Sequence, residues 1–159
     1  KSGCDSVEHG FFMNEKTLSR IAEAGAVWVP TAYTMRAYAD HLPSGCAEAD
    51  VARRTFEHQL ELIETGRRLG VTMAVGTDAG SLGVFHGHSV AMEMTVLVEA
   101  GFPLPETVRC ATLNSAVLLR YSDLGSIRPG SEVRFLAMEG EPNHLLNNLA
   151  LRRFSVLEE

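Results

Sequence analysis

Cysteine is scarce in this chain, and its three copies, Cys4, Cys46 and Cys110, lie far apart with no C-x-x-C pair. That excludes a disulfide-stapled mini-protein and a zinc ribbon, and points to reduced, mostly buried thiols. Long apolar runs are lacking too. Runs such as Val27–Val29 and Val117–Leu119 fall far below the ~20 residues that a membrane-spanning helix needs. Basic charge is in deficit: 14 Lys+Arg against 20 Asp+Glu give a net charge of −6. The pI of about 5.5 argues against a general nucleic-acid binder, which needs a basic face. No repeat or low-complexity tract interrupts the sequence. With 45% hydrophobic and 21% charged residues it is neither disordered nor collagen-like. The chain opens at Lys1 without a methionine, and no charged-then-apolar leader is readable. A cytoplasmic location is the favoured expectation, and homo-oligomer formation stays open.

What is present alternates between strand-like and helix-like segments. Asp5–His9 reads as a short strand closed by Gly10. Asn14 caps a helix with Leu18, Ile21 and Ala22 on one face, stopped at Gly25. Ala26–Pro30 is a continuous apolar run of the kind found in a strand buried on both faces. After a loop around Leu42–Gly45, a long helix is expected over Ala47–Leu69, with Phe56, Leu60 and Ile63 on its apolar stripe. Val71–Gly76 reads as a third buried strand. A helix near Ser89–Ala100 is expected to bury Val90, Met94, Leu97 and Val98. Two short helices then run from about Pro105 to Leu119. Beyond the Pro129-Gly130 turn, Glu132–Met138 and Arg152–Leu157 have strand character. This order implies an α/β fold with a parallel sheet and covering helices.

In such folds chemistry gathers at the carboxyl ends of the strands. His9 ends the first strand, Thr31 follows the second with Tyr33 and Thr34 in its loop, and Asp78 follows the third. A histidine and an aspartate converging there suit a divalent metal, with the carboxylate doubling as a proton acceptor. Gly76, Gly80 and Gly83 crowd the Asp78 loop and would let the backbone approach a ligand. The residues alone leave another reading open, in which Asp78 caps a turn and His9 is a satisfied half-buried histidine.

Six segments form an ordered series: Gly3–Gly10 (GCDSVEHG), Val29–Thr31 (VPT), Val75–Gly80 (VGTDAG), Glu99–Pro103 (EAGFP), Ala111–Ala116 (ATLNSA) and Leu124–Gly130 (LGSIRPG). Together they resemble the C-terminal half of the amidohydrolase superfamily, in its imidazolonepropionase-like and metal-dependent prolidase-like branch. The resemblance covers about residues 3–137. It implies strands six to eight of a (β/α)8 TIM-type barrel over residues 1–128, and over 129–159 a return toward a small β-sandwich. It also implies a hydrolase in which metal-activated water attacks an amide, lactam or peptide-like C–N bond of a small molecule, with one or two zinc ions as cofactor. Family ligands are a His-x-His pair after strand one, a bridging carboxylated Lys or a Glu after strand four, histidines after strands five and six, and an aspartate after strand eight. His9 matches the strand-six ligand. Asp78 matches the strand-eight aspartate, which binds metal, takes the proton of the attacking water and passes it to the leaving group. Where the family usually has Ala-Asp after the turn, this chain has Ser131-Glu132.

Nothing in the chain matches the His-x-His pair, the bridging residue or the strand-five histidine. His86-Gly87-His88 has i, i+2 spacing but falls in a loop leading into a helix, so His86 is expected as a pocket-wall residue alongside Thr31 and Tyr33. A full barrel takes ~250 residues, and three parallel strands leave two unpaired edges. The sequence therefore reads as part of such an enzyme, inactive and marginally stable alone, with weak zinc binding through two ligands. Two other readings are a short protein derived from such an enzyme that only binds a ligand or partner, and a doubly wound domain with an anion in the Asp78 loop. The absence of a G-x-G-x-x-G fingerprint weighs against the last.

Overall fold

A computed structural model describes residues 3–158. Strand β1 (Ser6–Glu8) is followed by α1 (Glu15–Ala24). Asn14 starts this helix by accepting the Thr17 N–H at 3.0 Å, and Gly25 ends it at φ 66°. Strand β2 (Val27–Val29) pairs parallel with β1, in a register that sets Val7 beside Trp28.

After β2 the chain enters α2 (Tyr33–His41), where the sequence reads as a loop. Its start carries no local signal: Ala32 at the N-cap offers no side-chain acceptor. The acceptor comes instead from far along the chain, as described below. Cys46 starts the long helix α3 (Ala47–Arg68), its Sγ accepting the Ala49 N–H at 3.4 Å. Of the three cysteines only Cys110 is buried, with Cys46 half-buried and Cys4 exposed, against the expectation of mostly buried thiols.

Val71–Gly76 is extended but forms no continuous strand; its ladder is reduced to one parallel bridge, Trp28 to Met73. The Trp28 N–H donates to Thr72 O (2.9 Å) and the Ala74 N–H to Trp28 O (3.0 Å). On its other flank no strand pairs with it among the described residues. Two polar groups from a π-helical turn, Cys110–Asn114, lie there instead: Asn114 Nδ2 donates to Met73 O at 2.8 Å, and the Val75 N–H donates to Cys110 O at 3.3 Å. Cys110 O also accepts the Ser115 hydroxyl at 2.8 Å. Drawing this carbonyl out of the helical ladder accounts for the π turn between α5 (Leu104–Arg109) and α6 (Ser115–Leu118). Before them, α4 (His88–Glu99) buries Ala91, Met94, Val96 and Leu97, while Val98, expected inside, is exposed.

β2 and the Met73–Ala74 part of the third segment bury both faces, whereas β1 is only half-buried. Trp28 and Met73 point into the main core with Leu18, Ile21, Phe56, Ile63, Val96 and Leu97. Val27, Val29 and Ala74 form a smaller cluster on the opposite face, against Leu118. The chain ends with β3 (Arg134–Ala137), α7 (Leu145–Ala150) and β4 (Ser155–Glu158), and β3 and β4 pair antiparallel. The architecture is mixed α/β, and the parallel segments do not close into a barrel. No helix among the described residues is long and apolar enough to cross a membrane.

Candidate functional site

His9, Thr31 and Asp78 each follow one of the three parallel segments, and each has positive φ: 63°, 51° and 53°. Non-glycine residues seldom adopt this conformation, and for a β-branched threonine it is a marked outlier. Surrounding contacts hold it. The His9 N–H donates to Val29 O at 2.9 Å, while His9 O accepts the indole N–H of buried Trp28 at 3.0 Å. Gln59, fully buried on α3, donates to Pro30 O at 3.0 Å, the residue before Thr31.

These constraints bring two of the candidate side chains together. His9 Nδ1 lies 2.7 Å from Thr31 Oγ1, which leaves Nε2 as the nitrogen available to a ligand. Phe11 stacks on the imidazole at 5.5 Å between ring centroids. A half-buried imidazole oriented through one nitrogen by a hydroxyl is a fitting arrangement for a metal ligand. Asp78 is exposed and its carboxylate accepts the Ser81 hydroxyl at 3.0 Å. The turn-capping role is therefore real, and it leaves the other carboxylate oxygen outside that bond. The Thr34 hydroxyl, on α2, reaches Thr77 O at 3.3 Å and ties the loop after β2 to the Asp78 loop.

Among the described residues, no three His, Cys, Asp or Glu side chains converge to hold a metal. His9 and Asp78 supply imidazole and carboxylate donors of the right chemistry for zinc, but too few for four-coordination. His86 is exposed, Gly87 has φ 80°, and His88 is the first residue of α4. The pair is thus not in an extended stretch with both rings on one face. Two of the three glycines around Asp78 meet the protein's own side chains, while nothing lies within 4 Å of a Cβ on Gly80. A Cβ on Gly76 would lie 2.5 Å from Val29 Cγ1, and one on Gly83 2.5 Å from His41 Nδ1, so both make room for the protein's own side chains.

The residue that sequence reasoning missed is Glu93. It lies on α4, fully buried, and its two carboxylate oxygens accept the N–H groups of Ala32 (2.9 Å) and Tyr33 (2.7 Å). It thereby caps α2 from 60 residues away. Burial pushes its pKa up to about 7, and the two backbone bonds work against that rise. The available signal was a lone acidic residue among Ala91, Met94, Val96 and Leu97 on the apolar face of a helix. Tyr33 is half-buried, and desolvation, aided by Asp40, holds its phenol above the usual range.

The amidohydrolase family profile matches residues 3–157. This chain belongs to the amidohydrolase family. Ochratoxinase from Aspergillus niger is 26% identical over 147 residues, 89% of this chain and 30% of that enzyme. A solved Xaa-Pro dipeptidase with methionine bound in its active site is 29% identical, with a TM-score of 0.79 over 98% of this chain and 39% of that one. A prolidase complexed with N-methylphosphonate-L-proline is 26% identical, with a TM-score of 0.80 over 98% of this chain and 39% of that one. The chain thus spans well under half the length of these amidohydrolase relatives.

Proposed function

We propose that this amidohydrolase chain supplies part of the active site of a metal-dependent hydrolase that cleaves a C–N bond in an amide or peptide-like small molecule. The observation that carries the reading is the His9–Thr31 contact at the mouth of the parallel segments, at 2.7 Å. It orients an imidazole and leaves its second nitrogen outside that contact, at the end of its segment as Asp78 is at the end of its own. Residues 1–128 would contribute the last strands of a (β/α)8 barrel, and 129–159 its return to a small β-sandwich. The missing ligands would come from polypeptide outside this sequence, in keeping with the share of its relatives that the chain spans.

His9 would hold zinc through Nε2 while Nδ1–H donates to Thr31 Oγ1, fixing tautomer and ring plane. Asp78 would complete this chain's share of the ligands. The metal, when bound, makes water acidic enough to act as a nucleophile near neutral pH. Asp78 accepts the proton of the attacking water and delivers it to the leaving nitrogen, a general base and then a general acid. Tyr33 and His86 would line the substrate pocket. The methionine and the proline phosphonate held by the two solved relatives favour substrates that release an amino acid.

The test is turnover of dipeptides and N-acyl amino acids by the full natural chain, metal-stripped and then given zinc. Zinc-dependent turnover that is lost in Asp78→Asn is expected. Near-normal turnover by Asp78→Asn would refute its role.

A further inference from the structure

Glu93 caps α2 but has been given no role toward the site, and it is a fully buried carboxylate on a helix whose other buried residues are apolar except for Ser89. An acidic side chain placed there costs free energy unless it is used. It accepts two backbone N–H groups, Ala32 at 2.9 Å and Tyr33 at 2.7 Å. These are the two residues directly after Thr31, whose φ of 51° is unfavourable for a threonine. The Thr31 hydroxyl in turn lies 2.7 Å from His9 Nδ1. A continuous chain of contacts therefore runs from the interior of α4 to the imidazole.

We propose that Glu93 is a positioning residue for the site: by clamping the Ala32 and Tyr33 amides it holds Thr31 in the conformation from which its hydroxyl sets the tautomer and plane of the His9 ring. A plain helix cap could be supplied locally by Ser, Thr, Asp or Asn at position 32, but Ala32 stands there. A bidentate carboxylate fixes two successive amides together, and so the peptide segment leaving Thr31. Its relevance to catalysis rests on the metal-ligand reading of His9.

The experiment uses the full natural chain, metal-free and labelled with 15N-histidine. Glu93→Gln keeps the volume but leaves a single acceptor oxygen for two amides. Thr31→Val leaves Glu93 untouched and replaces the hydroxyl by a methyl group. In the parent protein the His9 ring should show one tautomer, protonated at Nδ1, and slow hydrogen exchange at Ala32 and Tyr33. Glu93→Gln should speed exchange at both amides and give His9 a mixed tautomer signal. Thr31→Val should change the His9 signal alone. Zinc affinity should fall about 10–100-fold in both, the usual cost of losing a partner that orients a ligand. His9 signals unchanged in Glu93→Gln would overturn the assignment of Glu93, whatever Thr31→Val does. Zinc affinity unchanged by His9→Ala would instead overturn the metal reading, a separate result that the His9 signals do not depend on.

Discussion

The imidazole of His9 and the hydroxyl of Thr31 meet at 2.7 Å, and both residues are held at positive φ. Each follows a strand of the same parallel pair, His9 after β1 and Thr31 after β2. Two strained residues in hydrogen-bond contact across neighbouring strand ends are over-determined by their surroundings: Trp28 and Gln59 bind the carbonyls of His9 and Pro30. Strain kept in this way marks a place where geometry is worth more than local stability.

Asp78 supplies the first prediction. Asp78→Asn keeps the bond to Ser81 through its carbonyl oxygen but cannot take up a proton as a carboxylate does. Turnover by the full natural chain should fall at least ~100-fold, the lower end of what a general base contributes, with little change in melting temperature. Steady-state kinetics and a thermal melt measure both.

Gly76 supplies the second. Its Cβ position lies 2.5 Å from Val29 Cγ1, inside the smaller apolar cluster. Gly76→Ala should destabilise the fold by roughly 1–3 kcal/mol, the usual penalty for overpacking, read by urea titration. A neutral result would mean that Val29 moves aside freely.

The third concerns pH. Burial raises the folded-state pKa of Glu93 from its ordinary 4.5 to about 7. The folded protein therefore holds this proton where the unfolded chain has lost it. The stability so gained is full below about pH 4.5, and is lost as pH rises through about 7. Integrated over that window it amounts to roughly 3 kcal/mol. Stability measured from pH 5 to 8 should fall with that shape, and Glu93→Gln should lack the component.

Much of this was legible in the sequence, and the failures are instructive. Asn14, Gly25 and Trp28 announce their elements through local chemistry, and His9 and Asp78 are visible because strand ends in α/β folds carry polar residues. Helix α2 was missed because its cap is Glu93, 60 residues downstream, and no local signal encodes a partner that distant. The segment around Met73 looked like a strand by composition, but only one bridge of its ladder to β2 forms. Here one flank meets β2 and the other meets the side chain of Asn114. The run His86-Gly87-His88 reads correctly as a loop leading into a helix: Gly87 at φ 80° bends it, and His88 opens α4.

A fourth prediction concerns residues 1–159 alone. Val117, Leu119, Tyr121 and Ile127 are all more than half exposed. A surface of this kind favours association, so the isolated chain should elute from size exclusion above its 17.3 kDa mass or precipitate. A stable, dilution-resistant monomer would contradict this.

The central claim is that His9 and Asp78 are metal ligands contributed by this chain. It is tested most directly by the zinc content of the full natural chain after dialysis, compared with His9→Ala and Asp78→Asn. The account predicts stoichiometric zinc in the parent and a marked loss in each variant, with circular dichroism unchanged. Full zinc retention in both variants would contradict it.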